Sequence, residues 1–381
     1  MAYGRCELSE RIITLVKMEK LGWIDMLKGL AMLSIISVHI SIAEPQTGIA
    51  VLDFLVGHGM LGTQIFFMIS AFLVCRSATN NDDISSGVKK WLKKKWWRLA
   101  PLYYFFLALS LLGLLLIGEP VNFGTGFLLE KSNSIIFTGI NLFNYVLHFC
   151  FLQTLLPFFS NNVIGVEWYV GNLMLYYCFS AFVLIRIKNI KYLFVILWCT
   201  IVFAGGAELL NAPQSLNNYL TQWESWSKYF APWVNLPVWL LGYISYFVYQ
   251  GKVKLRYILL TAIVVVAFRS IISIYVCFSM LLFSSFYFCN KYLKNESSFF
   301  WLGEIGKNSY FIYFIHVFFI RTYNGLLSPI MKEYFFPLTC MGIKFLLITV
   351  LSYGSALFWK YLKEKGRFFI NEKISYRNSN L

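Results

Sequence analysis

Apolar runs close to twenty residues long follow one another from Ile24 to Leu362, and this succession constrains the chain more than any other feature of it. A helix needs about twenty apolar residues to cross the hydrocarbon core of a bilayer. Spans are expected at 24–43, 52–75, 99–118, 166–187, 191–210, 230–249, 255–270, 271–289, 305–325 and 336–362. Segments 255–270 and 271–289 form one stretch, too long for one crossing and short for two, with Arg269–Ser270 as a polar turn in its middle. A further apolar stretch, 135–159, is interrupted by Asn141, Asn144, His148, Gln153 and Pro157 and reads as interfacial or re-entrant. Only 13% of the 381 residues are charged and 58% are hydrophobic, against roughly 25% charged in an ordinary soluble domain. A soluble globule cannot hide that much apolar surface, which excludes a soluble enzyme, a disordered chain and a secreted disulfide scaffold.

Ten crossings put both ends of the chain on one side, and the Lys and Arg distribution tests this. With both termini cytoplasmic, 26 of the 33 basic residues fall in cytoplasmic segments. These are the N-terminal tail with Arg5, Arg11, Lys17 and Lys20, the loop Arg76–Arg98, Arg186–Lys191, Lys252–Arg256, Lys291–Lys307, and the end from Lys360. Lys131, Lys228, Arg269, Arg321 and Lys332 fall outside, while Lys28 and Lys344 lie within spans. An eleventh span would swap the later loops and erase the asymmetry. The expected fold is an all-α polytopic membrane protein of about ten transmembrane helices with both termini cytoplasmic. Its parts are a cytoplasmic segment 1–23, a transmembrane domain 24–362 and a polar tail 363–381, mobile from Asn371. The net charge of +15 then follows from topology and contact with anionic membrane lipids, with no nucleic acid needed. The first apolar run reads as a signal anchor that stays. The eight cysteines show no metal or disulfide spacing, so no metal is expected.

Ionisable groups inside a membrane are costly and each asks for a reason. The first span holds Asp25, Lys28 and His39. Lys28 and His39 are eleven residues apart, so they share a helix face about 16 Å apart along the axis. Asp25 is placed to pair with Lys28. The plain reading is an anchoring Lys and a His satisfied by a neighbouring helix; the aligned pair favours a functional one. Gly57, Gly59 and Gly62 around the second span suit close helix packing. The segment KKWLKKKWWRLAP reads first as a basic, Trp-anchored interface. Within it Lys95 and Arg98, one turn apart beside Pro101, also suit the phosphates of a cytoplasmic ligand. Glu167, Trp168, Tyr169 and Asn172 open the fourth span. In the ninth, Tyr313 and His316 share a face, and His316 is able to meet His39 across two spans. His58 and His148 are expected nearer the outer interface.

These segments, in this order, resemble the integral-membrane acyltransferase-3 family, over about residues 20–360. Asp25, Lys28 and His39 match its opening motif at the same spacing. Ser70-Ala71-Phe72-Leu73 stands where the family has Ser-Gly-Phe-Leu. Lys95, Arg98, Leu99 and Pro101 match its R-x-x-R motif, with Lys for the first Arg. Trp168-Tyr169-Val170 matches a Trp-led motif, and Ser309-Tyr310 with His316 the late one. Many members carry a Glu five residues after that Trp; this chain has Leu173.

The resemblance implies transfer of an acyl group, usually acetyl, from cytoplasmic acyl-CoA to a hydroxyl. The donor is a substrate, and no tightly bound cofactor is expected. Lys95, Arg98 and Ser70 would bind the donor together with Lys28, whose charge Asp25 orients. His39 would be the general base or carry an acetyl in transit, and His316 would align acceptor or donor. Trp168, Tyr169 and Tyr313 would line the substrate path. The acceptor expected is a surface polysaccharide such as O-antigen (lipopolysaccharide) or capsule, or its lipid-linked precursor, which places the protein in a bacterial cytoplasmic (inner) membrane. The alternatives are a transporter or flippase of a lipid-linked glycan, a scaffold for glycan assembly, or an acyltransferase acting on peptidoglycan or a small acceptor. Oligomeric state is not legible.

Overall fold

The computed structural model describes residues 21–41, 49–80, 87–117, 142–157, 159–210, 226–267, 276–285, 287, 300–334 and 336–379. Among them no strand occurs. The helices are α1 Gly22–Ser41, α2 Ala50–Gly57, α3 Leu61–Asn80, α4 Val88–Ile117, α5 Leu142–Phe149, α6 Trp168–Phe182, α7 Ile190–Leu210, α8 Pro232–Tyr249, α9 Leu255–Ala267, α10 Val276–Ser285, α11 Phe300–Lys307, α12 Ser309–Leu326, α13 Ser328–Tyr334 and α14 Pro337–Ser379. By length and composition four of these segments are able to cross a membrane: Gly22–Ser41, Leu61–Thr79, Trp168–Arg186 and Pro337–Lys365. Shorter apolar helices cover Ile190–Gly206, Leu255–Val265 and Val276–Ser285. Over the described residues the fold is all-helical, and its apolar helices are those of a membrane protein.

Four boundaries differ from the sequence expectation. The run 52–75 is split at His58–Met60 into α2 and α3, next to Gly57 and Gly59. The run 305–325 breaks at Asn308, whose side-chain amide bonds the Glu304 carbonyl at 2.9 Å and competes with the helix ladder. The basic block and the third apolar run form the single helix α4, with Pro101 removing the N–H that would bond Trp97. The last helix continues to Ser379 where a mobile tail is expected; Lys360, Lys363, Glu364 and Lys365 are good helix formers. The N-terminal cations Arg5, Arg11, Lys17 and Lys20, the turn Arg269–Ser270, Lys131 and residues 135–141 lie outside the described residues.

Helix α1 is central, packed on α3, α11, α12 and α14. It runs parallel to α11–α12 at a constant offset. Gly306 lies against the Asp25 carbonyl and the Gly29 backbone, and ten residues further along both helices His39 meets His316. A Cβ at Gly29 would strike the Leu302 carbonyl, and one at Gly306 the Asp25 carbonyl. Lipid tails are as apolar as side chains, so small residues and close backbones do the work of helix association here. Gly59 and Gly62 bring the start of α3 onto α1 in the same way, whereas a Cβ at Gly57 would meet nothing within 4 Å. Across the bundle Gln64 of α3 donates to Asn235 of α8 at 2.6 Å.

The segment 142–167 is the irregular part of the bundle. Helix α5 has eight residues, too few to cross, and Phe151 reverses the chain with φ 60°. Its backbone is satisfied from neighbouring elements. Tyr103 and Tyr104 of α4 donate to the carbonyls of His148 and Phe149 at 3.2 and 2.7 Å. Trp226 donates to Thr154 and Tyr313 to Val166, at 2.9 and 2.6 Å.

Candidate active site

Five of the residues given donor or substrate roles from the sequence, Lys28, Ser70, Arg98, Tyr169 and Tyr313, line one cavity of about 100 Å³. Five helices deliver them: α1, α3, α4, α6 and α12. Lys307, Ser309, Tyr310 and Tyr177 complete much of its wall. Lys28 pairs with Asp25 at 2.9 Å, three residues before it on α1, and both are partly exposed. Asp25 therefore holds the ammonium at the cavity rather than lining it. Tyr310 donates to the Leu99 carbonyl at 3.0 Å and ties α12 to α4 beside Arg98.

Lys95 sits behind the cavity. Its ammonium lies 5.1 Å from the Trp91 ring and 5.5 Å from that of Tyr177, a cavity residue. It precedes the apolar part of α4. Burial, and then the charges of Arg98 and Lys94, lower its pKa to about 8. A cation whose charged form is disfavoured first by burial and then by like charges gains from an anion placed among them.

The two histidines meet at the other end of the α1–α12 seam. Their ring centroids are 5.2 Å apart, and Tyr313, which lines the cavity, has its ring 6.1 Å from His316. His316 is fully buried, with Nδ1 3.0 Å from the Ile312 carbonyl. A carbonyl oxygen only accepts, so Nδ1 carries the proton and Nε2 presents its lone pair. That Nε2 and the Nδ1 of His39 are buried without a hydrogen-bond partner. A buried polar atom left unpaired costs about 1–3 kcal/mol, so each of these nitrogens would be stabilised by a polar partner.

Trp168 is not brought to the cavity. It packs against Phe230 and Phe67, with centroids at 5.2 and 6.1 Å. The sequence reading missed Lys307, which pairs with Glu304 at the cavity mouth; its signal was its place two residues before Ser309-Tyr310. The sequence reading also gave His148 no partner; the structure buries it completely against Glu167, Nε2 to Oε1 3.3 Å. Glu167 further accepts from the backbone N–H groups of Val163, at 2.7 Å, and Gly165. Among the described residues no group of three or more His, Cys, Asp or Glu side chains is arranged to hold a metal.

The acyltransferase-3 family, described as an acyltransferase domain, matches residues 21–363. That is most of the chain, and the protein belongs to this family of acyltransferases. Comparison with curated proteins and with solved structures found no match.

Proposed function

We propose that the protein is an O-acyltransferase of the bacterial cytoplasmic membrane. It moves acetyl from cytoplasmic acetyl-CoA to a hydroxyl of a surface polysaccharide, O-antigen or capsule, or of its lipid-linked precursor. The observation that carries this reading is a sequence of contacts: a cavity lined by Lys28 and Arg98 is bordered by Tyr313, whose ring lies 6.1 Å from that of His316, which in turn lies 5.2 Å from that of His39. In this reading the chain crosses the membrane about ten times with both termini cytoplasmic, so the Lys28 end faces the cytoplasm.

The donor's phosphates sit among Lys28, Arg98 and Lys95, where charge-assisted bonds are strong. The pantetheine arm runs along the α1–α12 seam, and Lys28 and His39 are about 16 Å apart along it. At the far end an imidazole nitrogen takes the proton of the acceptor hydroxyl as the oxygen attacks the thioester carbonyl. The carbon–sulfur bond breaks, and the proton passes from the imidazolium to the departing CoA thiolate. His316 suits the base role through its free Nε2, and His39 stands against the same reacting atoms. Lys28, held by Asp25, positions the donor.

The test uses detergent-purified protein. Acetyl-CoA is expected to raise Tm in the wild type and in His39→Ala alike, because the histidine acts after binding. Acetyl transfer is expected to be lost in His39→Ala and His316→Ala. No rise in the wild type at saturating acetyl-CoA would remove the donor assignment.

A further inference from the structure

Glu167 and His148 form a buried pair that the reaction described above does not use. Protein encloses both side chains completely. His148 Nδ1 lies 2.8 Å from the Asn144 carbonyl, which only accepts, so Nδ1 carries a proton. Nε2 lies 3.3 Å from Glu167 Oε1, and the hydrogen between them belongs either to an imidazolium or to a carboxylic acid. Oε1 also accepts from the Val163 N–H at 2.7 Å, and Oε2 accepts from the Gly165 N–H. Gly165 has φ 97°, a conformation that glycine adopts without strain, so the chain closes this turn around the carboxyl group. The Glu167 carbonyl accepts from Gln153 at 3.2 Å, and the same amide donates to the Tyr103 hydroxyl of α4 at 3.3 Å. The three bonds of the carboxyl group stay within residues 148–167, so they shape this segment rather than tie long helices together. Residues on either side of Glu167 then meet Tyr313 of α12. The Val166 carbonyl accepts from its hydroxyl at 2.6 Å, and the Tyr169 ring lies 5.2 Å from its ring. Tyr313 lines the donor cavity, and its ring lies 6.1 Å from that of His316.

We propose that Glu167 is a positioning residue for acyl transfer. Its carboxyl group, together with His148, fixes the turn 163–167. The turn fixes the Val166 carbonyl, and that carbonyl sets the Tyr313 ring beside His316. This rests on the acyltransferase reading and adds to it a residue that acts without touching substrate. A buried carboxyl group bonded at both oxygens is a rigid support. A residue that acts through geometry alone changes the rate of the chemical step and leaves donor binding intact, because small displacements of reacting groups are costly.

The experiment is a double-mutant cycle read as initial rates. Membrane vesicles from cells that make the surface glycan supply the acceptor, and labelled acetyl-CoA is the donor. Glu167→Ala and Tyr313→Phe are each expected to lower kcat about tenfold, with acetyl-CoA KM within about twofold of wild type. The double variant is expected to lose about tenfold in all, because both changes break one chain of contacts. Glu167→Gln keeps an acceptor for a backbone N–H and a donor for His148, so it is expected to retain more turnover than Glu167→Ala. An acetyl-CoA rise in Tm, measured on each purified variant, reports that it is folded. Losses that multiply to about a hundredfold in the double variant, or a rise in KM that accounts for the loss, would overturn the proposal. Wild-type kcat in Tyr313→Phe would overturn it equally, and that variant carries the test should Glu167→Ala fail to fold. Absence of acetyl transfer by the wild type would instead strike the acyltransferase reading, so the two failures are distinct.

Discussion

The two ends of the α1–α12 seam are built from the same pair of parallel helices and treat their polar groups in opposite ways. At the Lys28 end charge is met by charge: Asp25 holds Lys28, Glu304 holds Lys307, and the cations border a cavity. At the His39 end His39 Nδ1 and His316 Nε2 are buried with no partner. A paired, partly exposed cation exchanges water for a ligand phosphate at little cost. A buried imidazole nitrogen without a partner is costly at rest, and in the proposed function an acceptor hydroxyl offsets that cost. In the proposed function this contrast corresponds to binding at one end and chemistry at the other.

Substitutions at the histidine end are expected to have the largest effect on turnover. His39→Ala and His316→Ala should each lower kcat by about 10²–10⁴-fold with acetyl-CoA KM nearly unchanged; a matching rise in KM would merge the two ends into one function. Gly306→Ala should act on both ends together. Its Cβ would strike the Asp25 carbonyl and push α11–α12 off α1, so Tm and kcat should fall with each other. At the cationic end Arg98→Gln should raise acetyl-CoA KM about tenfold with kcat retained, since a charged hydrogen bond contributes about 1.5–3 kcal/mol.

A smaller effect follows from Lys95. Its pKa of about 8 means that it carries charge below that pH and loses it above. Acetyl-CoA KM should therefore rise as pH passes upward through about 8. Lys95→Arg, charged throughout, should flatten the profile. Trp168→Phe should change kcat and KM less than about twofold, because the indole packs on Phe67 and Phe230 away from the cavity. Its cost should appear as a modest fall in Tm.

Most of the site was legible in the sequence because helical geometry is regular. The eleven-residue spacing of Lys28 and His39 gives one face and one distance without further information. His316 meeting His39 was foreseeable as two costly groups in separate spans, each in need of company. What escaped the sequence depends on irregular backbone. Glu167 and His148 come together through the turns around Phe151, which no periodicity announces. Lys307 counted as one more loop cation because the break at Asn308, set by a single side-chain amide, was not visible. Gly29 and Gly306 are unremarkable in the sequence and become decisive only once their helices touch. Trp168 shows the opposite error: a motif position packs into an aromatic cluster while its neighbour Tyr169 lines the cavity.

The division between a binding end and a chemical end is tested most directly on the product. Surface glycan from cells carrying the intact protein, the His39→Ala variant or neither is compared by mass spectrometry. The account predicts an acetyl-sized addition with the intact protein only, on a glycan otherwise made in all three. An acetylated glycan in the His39→Ala cells, with the variant present in the membrane, would contradict it.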